Sequence, residues 1–379
     1  MVIEQSRWTQ AVGWESGAIG QLGPSAQLVL LFGTTSVLKE RNWYGEMKKA
    51  YPKAHLFGCT TAGEICGTQV SDDSLVATAV QFDTSRLQGA HVTITKLKDS
   101  FAAGERLGQS LNPKGLVHVL VLSDGLAVNG SELVRGLTKG LPQGVSITGG
   151  LSGDGERFKE TFIFCDGPAE QNMIGVLGLY GERLKVGYGS MGGWDSFGPE
   201  RLITRSSGNV LYELDGKSAL DLYKNYLGEH AKGLPATGLL YPLSLRIQEG
   251  TVGVVRTILS VNAKEKSMTF AGDVPEGAYV RLMKANFDRL IDGAVDAAKT
   301  SYEAIGSSAP DLAILISCVG RKLVLKQRIE EEVEGVREIF GDRTALTGFY
   351  SYGEISPFSR NAKCELHNQT MTITTFSER

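Results

Sequence analysis

Three stretches of the chain share one pattern of apolar and polar residues. Each begins with an apolar run that ends on small polar residues, at residues 28–33, 116–123 and 312–318. Such a run, bounded by turn signals, is consistent with a strand. A helical segment and a short second strand follow each run, and the second strand leads into a glycine turn closed by a carboxylate. The pattern predicts three β-α-β units of about 40 residues each.

The segment between the two strands of each unit carries helix signals. Residues 39–51 contain helix-forming side chains and precede Pro52. Residues 131–141 begin with a serine, which can cap a helix. In residues 327–340 apolar side chains recur at three- and four-residue steps, and Gly341 follows as a stop signal. A helix is therefore predicted in every unit, most clearly in the third.

Alternating apolar and polar residues follow each unit, as expected for strands of antiparallel sheets. These strands are predicted at residues 75–82, 162–165, 174–180 and 366–374. Strands that alternate with helices, together with hairpins, indicate an α/β protein. The predicted fold class is α/β, with repeated β-α-β units, added antiparallel strands, mixed sheets and two domains.

A chain of 379 residues is long enough for about two domains. Residues 1–27 are predicted as an N-terminal extension that holds a short helix and a loop. The first domain is predicted over residues 28–215, which contain the first two units. The second domain is predicted over residues 216–379, where hairpins and helices precede the third unit.

Composition and charge narrow the function classes. A hydrophobic content of 42% and a charged content of 21% describe an ordinary globular protein. The net charge of -3 gives no electrostatic reason to expect binding to nucleic acid or to an anionic membrane. No apolar run approaches the roughly 20 residues of a membrane span, and the first residues do not resemble a secretion signal. Five scattered cysteines without a Cys-x-x-Cys pair fit a reducing compartment, so a cytoplasmic protein is expected.

Familiar catalytic and nucleotide-binding motifs are missing or lack their context. Residues 187–192 match the glycine pattern of dinucleotide-binding loops, but the residues that follow, up to Pro199, do not predict the required helix. No histidines or cysteines have metal-ligand spacing, and no serine has the glycines of a hydrolase nucleophile elbow. The sequence therefore predicts no metal and no catalytic residue. An enzyme that uses the thiol of Cys59 or Cys318 stays open as a third alternative.

The glycine turns at residues 58–64, 148–154 and 348–354 form the candidate ligand site. Such turns can leave backbone N–H groups unpaired, and concave surfaces of this kind bind anionic groups. Ligands of open α/β sheets lie at the carboxyl ends of strands, where these turns should be found. The hydroxyls and acids of the turns suit a small zwitterion or polar metabolite. The candidate ligand-binding residues are Thr60, Glu64, Ser152, Asp154, Arg321, Ser351, Tyr352 and Glu354.

A structural role for the same acids is the alternative. A carboxylate that follows a glycine can accept hydrogen bonds from the next turn, and a repeated scaffold would repeat such bonds. Arg321 can pair either with Glu354 or with a ligand carboxylate. The ligand hypothesis requires Glu64, Asp154 and Glu354 to gather around one cavity, whereas the structural alternative lets each acid fix only its own neighbourhood.

Six segments of the chain resemble the FIST family of intracellular signal-transduction proteins. They are residues 58–65, 149–155, 212–219, 317–321, 348–355 and 365–370. The resemblance implies that the two predicted domains are a FIST N-type and a FIST C-type domain. It also implies a sensor that binds a small ligand, such as an amino acid, and signals to a separate partner. A histidine kinase or a cyclic-nucleotide enzyme is the kind of partner that the resemblance suggests.

A haem-binding sensor is the second alternative that the resemblance implies, because some FIST proteins look like haem proteins that sense nitric oxide and regulate a histidine kinase. Haem needs an axial ligand, most often histidine, and an apolar pocket. His230 precedes an apolar loop at residues 233–242 and is the candidate axial ligand. No Cys-x-x-Cys-His motif occurs, so a haem would be held without covalent attachment.

The leading hypothesis is a cytoplasmic, non-enzymatic sensor of a small polar, amino-acid-like molecule. It requires no cofactor, no nucleic acid and no membrane, and it leaves self-association open. The three acid-closed turns are the residues on which this hypothesis depends.

Overall fold

The computed structural model describes residues 1–15, 17–96, 99–246, 253–358 and 362–378. The strands of the first half, in chain order, are β1 (Val2–Thr9), β2 (Gly13–Trp14), β3 (Leu28–Gly33), β4 (His55–Thr60), β5 (Glu64–Cys66), β6 (Gln69–Ser71), β7 (Ser74–Gln81), β8 (Arg86–Thr93), β9 (Leu116–Ser123), β10 (Ser146–Leu151), β11 (Ile163–Cys165), β12 (Met173–Tyr180) and β13 (Lys185–Met191). Those of the second half are β14 (Trp194–Ser207), β15 (Val210–Leu214), β16 (Lys217–Ser218), β17 (Leu243–Arg246), β18 (Val254–Arg256), β19 (Ile258–Asn262), β20 (Ser267–Phe270), β21 (Tyr279–Ala285), β22 (Leu312–Cys318), β23 (Ala345–Ser351), β24 (Gly353–Pro357), β25 (Cys364–His367) and β26 (Met371–Ser377). The helices are α1 (Thr35–Glu40), α2 (Trp43–Ala50), α3 (Ser100–Ser110), α4 (Gly130–Gly140), α5 (Ala219–Leu227), α6 (Phe287–Ala304), α7 (Val319–Leu325) and α8 (Ile329–Phe340).

Three six-stranded sheets each contain one of the predicted units. The parallel pairs β3–β4, β9–β10 and β22–β23 are the strands of these units, and antiparallel strands complete each sheet. The strand orders are β11-β4-β3-β7-β1-β2, β25-β24-β10-β9-β12-β8 and β13-β26-β22-β23-β5-β6. The predicted α/β class with repeated units and mixed sheets is confirmed.

The three sheets exchange strands in a closed ring. The strands that follow the first unit, β5 and β6, pair beside β23 in the sheet of the third unit. Those that follow the third unit, β24 and β25, pair beside β10 in the sheet of the second unit. The strand β11, which follows the second unit, pairs with β4 in the sheet of the first. Each glycine turn is therefore the place where the chain passes from one sheet to the next.

A glycine begins each of these crossings for a steric reason. A Cβ atom on Gly58, Gly149 or Gly348 would lie 1.9, 1.8 and 1.8 Å from a carbonyl oxygen of the parallel partner strand. No side chain fits at such a distance, so the close approach of the two strands requires glycine. The repetition of this glycine in the sequence reflects repeated geometry.

The inner faces of the three sheets share one apolar core. It is lined by alternate residues of the first strand of every unit, namely Phe32, Leu120, Leu122, Ile314 and Ile316. The residues between them pack outward against the helices. The first strands are thus covered on both faces, which explains why their sequences are uninterrupted apolar runs.

An eight-stranded antiparallel sheet is inserted in the chain between β13 and α6. Its order is β18-β17-β21-β14-β15-β20-β19, with β16 beside β15, and α5 packs on it. We call residues 194–285 the sheet module. The chain enters the module through Gly192 and Gly193 and leaves it through Asn286 into α6. We call residues 192–194 and 285–290 together the neck.

Two local predictions are corrected by the structure. The short helix predicted in residues 1–27 is wrong, because Val2–Thr9 form strand β1, which pairs along its length with β7. That partner lies about 70 residues away in the chain, so a local pattern could not reveal it. Helix α4 is capped by Asn129, whose Oδ1 accepts from two backbone amides, and not by the serine that follows.

Candidate functional site

The three glycine turns meet at one point of the ring. Each turn accepts one backbone hydrogen bond from a second turn and donates one to the third. The carbonyl that accepts and the amide that donates lie two residues apart in every turn. These bonds are Gly153 N to Thr60 O (3.1 Å), Tyr352 N to Leu151 O (3.1 Å) and Ala62 N to Tyr350 O (2.8 Å). The structure thus brings the predicted turns together. Their amides, however, bond to one another, so the expectation that these N–H groups are free for an anion is wrong at these positions.

Glu64 is fully buried below the joined turns. Its carboxyl accepts hydrogen bonds from the hydroxyls of Thr61 and Ser74, the latter at 2.6 Å. Burial raises the pKa of Glu64 to about 8, although the two hydroxyls act in the opposite direction. The side chain therefore ties its own turn to β7 and favours the protonated form at neutral pH.

Glu354 repeats this arrangement in the third unit. It accepts from Ser351 Oγ at 2.5 Å and from the amide and hydroxyl of Thr370 at 3.1 and 2.9 Å. Burial again raises its pKa to about 8. In both units a hydroxyl three residues before the glutamate donates to it, so the two glutamates are equivalent parts of the scaffold.

Asp154 of the second unit faces a different set of donors. Its carboxylate accepts from Thr35 Oγ1 at 3.0 Å and from Arg157 Nε at 2.8 Å. The amides of Lys159 and Glu160 donate to its second oxygen at 3.2 and 3.3 Å. Asp154 therefore joins the start of α1 to the loop that follows β10.

The other predicted turn residues also have protein partners. Thr60 Oγ1 accepts from the amide of Phe162 at 3.0 Å, and Ser152 Oγ donates to Ser123 O at 3.0 Å. The hydroxyl of Tyr352 donates to Gly155 O at 3.0 Å. These side chains fix the turns, as the structural alternative expects.

Arg321 does not pair with Glu354. Its guanidinium forms an ion pair with Glu332 at 2.7 Å, and both side chains are 0% exposed. Glu332 lies on α8, the next helix in the chain, and also accepts from Tyr350 OH at 2.7 Å. Of the two partners considered for Arg321, Glu354 is therefore wrong, because α7 and α8 together bring Glu332 to the guanidinium.

A cleft of about 490 Å³ opens beside the joined turns. It is lined by Ala62 of the first turn, by Gly155, which follows the second turn, by Lys322 of α7 and by Lys326, which follows that helix. The ammonium group of Lys322 donates to Ala62 O at 2.9 Å and contacts the carboxylate of Asp72. Size, charge and location make this cleft the candidate functional site.

The sequence predictions missed the charged residues of the cleft, which are Asp72, Glu156, Lys322 and Lys326. A comparison of the repeated units could have found Lys322. Ser317 pairs with Tyr350 in the third unit, and Gly33 pairs with Thr60 in the first. Ser317 and Gly33 are therefore equivalent positions. Lys322 and Leu38 each follow their position by five residues, and Leu38 is buried. A lysine thus stands where the first unit has an apolar side chain.

The surroundings of His230 do not fit a haem. The residue is exposed on a 3₁₀ turn, Gly228–Gly233, with its ring 5.7 Å from that of Tyr241. The apolar cavity of the same module does not include His230, and its free volume of about 20 Å³ is far below that of a porphyrin. An axial histidine needs an enclosed apolar pocket, and the exposed position of His230 does not meet this requirement.

Two other histidines are buried and hydrogen-bonded to the protein. The His118 ring lies 2.7 Å from Ser146 Oγ and 2.9 Å from Thr148 Oγ1, and burial lowers its pKa to about 3. The His367 ring bonds to Ser356 O at 2.7 Å, and burial lowers its pKa to about 4. Both rings therefore stay neutral within the sheets near neutral pH.

The thiols of Cys59 and Cys318 are fully buried, and burial raises the pKa of both. A nucleophilic cysteine needs a lowered pKa and access to substrate. The surroundings of these two cysteines favour the neutral thiol.

Comparison with known proteins assigns the chain to a family. Residues 27–217 match the FIST N domain and residues 219–357 match the FIST C domain. FIST domains are sensor domains of signal transduction, and this chain belongs to the FIST family.

Two individual proteins are similar to the chain. An uncharacterized protein of Methanocaldococcus jannaschii is 23% identical over 342 residues, a match that covers 82% of this chain and 64% of that protein. The chain thus spans less than two thirds of the length of this curated relative. The crystal structure of cyanuric acid hydrolase from A. caulinodans aligns with 100% of this chain and 99% of its own, at a TM-score of 0.38 and 10% identity.

Among the residues that the structure describes, no helix has both the length and the apolar character needed to cross a membrane.

Proposed function

We propose that this protein is an intracellular, non-enzymatic sensor that binds a small polar, amino-acid-like molecule in the cleft beside the joined turns. The observation that carries the proposal is the cleft of about 490 Å³ at the place where Lys322 faces the turns. A separate signalling protein, such as a histidine kinase or a cyclic-nucleotide enzyme, receives the signal.

The charges of the cleft suit a zwitterion. Lys322 and Lys326 supply two ammonium groups, and Asp72 and Glu156 supply two carboxylates. A ligand carboxylate binds at the lysines while its ammonium group faces the acids. Charge-assisted hydrogen bonds of this kind are roughly twice as strong as neutral ones.

Lys322 is the residue that a ligand engages first. Its present ion partner, Asp72, is 63% exposed, and ion pairs of exposed groups contribute only about 0–1 kcal/mol. A ligand carboxylate therefore replaces Asp72 at little cost. The hydrogen bond from Lys322 to Ala62 O keeps the ammonium group directed toward the turns.

In this proposal the turn residues predicted from the sequence form the floor of the site. Glu64, Asp154 and Glu354 hold the three turns in place through buried hydrogen bonds. The ligand contacts the backbone of the turns and the charged side chains above them. Rigid support of this kind lowers the entropic cost of binding.

A thermal-shift screen with the twenty amino acids, followed by calorimetry on each hit, tests the proposal. We expect Lys322→Met to weaken binding tenfold or more, which corresponds to about 1.4 kcal/mol. The control is Lys266→Met, because Lys266 also pairs with an aspartate, Asp221 at 2.8 Å, but lies in the sheet module and does not line the cleft. Absence of any ligand, or equal affinities for the two variants, contradicts the proposed site.

The signalling step needs its own experiment. Autophosphorylation of histidine kinases from the same organism is measured with the protein alone and with the protein plus its ligand. We expect the ligand to change the rate only when Lys322 is intact. A change that persists in Lys322→Met would remove the cleft from the signalling route.

A further inference from the structure

Three consecutive residues of α7 contact three different parts of the molecule. Lys322 lines the cleft and bonds to Ala62 O. Arg321 bonds to the neck, and the backbone of Gly320 lies against the side chain of Gln369. These residues lie within one turn of α7, so a shift of this helix moves all three contacts together.

A single guanidinium holds both chain connections of the sheet module. Arg321 Nη1 donates to Gly192 O at 2.9 Å, just before the chain enters the module. Arg321 Nη2 donates to Leu290 O at 2.6 Å, in the first turn of α6 after the chain returns. The neck is therefore fixed to α7 from both sides.

Gly193 allows the chain that enters the module to lie directly against α6. Gly193 has φ +131°, and a Cβ atom there would lie 2.1 Å from Arg289 O. No other residue fits between the entering strand and α6. The entering and returning chains are also paired directly, Trp194 opposite Ala285. A displacement of either connection thus displaces the other.

The anchor of Arg321 on the core side is equally firm. Glu332 accepts from Arg321 Nε at 3.1 Å and from Ser317 Oγ at 3.1 Å, in addition to Tyr350 OH. A buried ion pair is stable only while its partners keep good geometry. Because Tyr350 O also accepts from Ala62 N, the network connects the joined turns with α7 and the neck.

A second contact runs in parallel from α7 to the module. A Cβ atom on Gly320 would lie 2.3 Å from Gln369 Nε2, so the amide of Gln369 is pressed against the helix. That amide donates to Leu239 O at 2.9 Å, and Gln369 O accepts from Trp194 Nε1 at 3.1 Å. Both Leu239 and Trp194 belong to the module.

We propose that α7 couples the cleft to the sheet module, so that a molecule which takes Lys322 from Asp72 shifts α7 and changes how firmly the neck holds the module. The proposal rests on the proposed function for the identity of the occupant. The physical coupling, however, is a property of the protein alone. The module is then the part of the protein whose position reports occupancy to a partner.

Hydrogen–deuterium exchange on the free, full-length protein tests the coupling without any ligand. Lys322→Met removes the bonds of Lys322 to Ala62 O and Asp72, and we expect exchange in the neck peptides 190–196 and 284–292 to rise roughly fivefold or more. The control is Lys326→Met, which changes an exposed lysine of the same cleft. We expect exchange in the neck of this variant to equal that of the wild type.

Strand β9 serves as the internal reference, because it is buried in the core far from the neck along the chain. Equal neck exchange in the two variants overturns the proposal. A rise of the same size in β9 and in the neck also overturns it, since that result means general loosening. Because no ligand is used, failure of the ligand screen and failure of the coupling are separate outcomes.

The reverse direction provides a second test, since coupling between sites is reciprocal. Trp194→Phe removes the Nε1 bond to Gln369 O but keeps an aromatic ring, and Trp14→Phe removes an equivalent bond to Glu46 elsewhere. We expect acetylation of the Lys322 amine by acetic anhydride to accelerate about fivefold in Trp194→Phe only. An unchanged rate in Trp194→Phe contradicts the coupling.

Discussion

Two junctions between repeated units occupy equivalent places but are filled differently. At the closed junction, between the first and second units, Thr35 at the start of α1 donates to Asp154, and Leu38 is buried. At the open junction, between the third and first units, Lys322 of α7 donates to Ala62 O and lines the cleft of about 490 Å³. The ring supplies the same backbone geometry twice, so the difference lies in side chains on the helix. Chemistry on this fold therefore comes from an asymmetry in a repeated scaffold.

The acids of the turns differ in the same manner. Glu64 and Glu354 stand six residues after the crossing glycine and are buried among hydroxyls. Asp154 stands five residues after its glycine and receives Arg157, whose side chain is 48% exposed. All three acids are fully buried, and Asp154 differs in receiving a hydrogen bond from a cationic side chain.

The largest loss of stability is expected from substitution of Arg321, which has no equivalent arginine at the closed junction. Arg321→Met leaves the fully buried Glu332 without its ion partner, and we expect a loss of about 3–5 kcal/mol in the free energy of unfolding. Urea denaturation followed by circular dichroism measures it. Arg205→Met is the control, because its pair with Glu213 is half exposed and should contribute about 0–1 kcal/mol. Similar losses of stability in both variants would show that the buried pair of Arg321 matters no more than the half-exposed pair of Arg205.

The apolar runs made the three units predictable from the sequence. Strands β3, β9 and β22 are covered on both faces, and such strands leave an unmistakable signal. The exchange of β5, β11 and β24 between sheets could not be foreseen, because short strands carry no information about which distant edge they join. The meeting of the turns follows from that exchange, so it could only be a hypothesis.

The residues of the site were harder to predict from the sequence than the fold was. Arg321 was identified as important, but its partner depends on how α7 and α8 lie against each other, which no spacing rule gives. Asp72 and Glu156 lie in loops outside the repeated motif. Lys322 alone had a readable signal, since it replaces an apolar residue when the units are aligned. A departure from an internal repeat is thus a better pointer to function than the repeat itself.

The next largest effect concerns the pH dependence of stability, through Glu64 and Glu354. Burial raises the pKa of each from 4.5 to about 8, so between these values the folded state holds protons that the unfolded state has lost. The contribution of each to stability is complete below pH 4.5 and declines as pH rises toward 8, by at most about 1.4 kcal/mol per pH unit. Glutamine mimics the protonated acid.

We therefore expect Glu64→Gln to be less sensitive than the wild type to a rise from pH 5 to pH 8. Urea denaturation at several pH values measures the slope, and Glu354→Gln should behave alike. Glu334→Gln, at an exposed carboxylate of α8, is the control and should follow the wild type. A wild-type slope in both buried variants would show that these glutamates do not act as protonated ties.

A smaller loss is expected from Asp154, the acid of the closed junction. Asp154→Ala leaves Thr35 Oγ1 and two backbone amides without their acceptor. Loss of an acceptor for buried donors costs roughly 1–3 kcal/mol. Asp72→Ala, at the open junction, removes only an exposed ion partner and should cost less than about 1 kcal/mol. Thermal unfolding of both variants compares the two junctions. A larger loss in Asp72→Ala than in Asp154→Ala would mean that the open junction contributes more to stability.

The smallest stability change, and the most informative one, is expected when the open junction is given the residue of the closed one. Lys322→Leu gives the cleft, which Leu323 and Ile329 also line, the side chain found at Leu38. We expect the free energy of unfolding to stay within about 1 kcal/mol of the wild type, since apolar burial of the new leucine offsets the lost bonds to Asp72 and Ala62 O. Binding of any molecule found in the amino acid screen should nevertheless disappear from calorimetric titrations. Leu38→Lys should cost several times more, because Leu38 is buried in an apolar cluster and an ammonium group placed there loses hydration. If Lys322→Leu retained full affinity for the ligand, Lys322 would not contribute to binding. The difference between the two junctions would then not explain where the ligand binds.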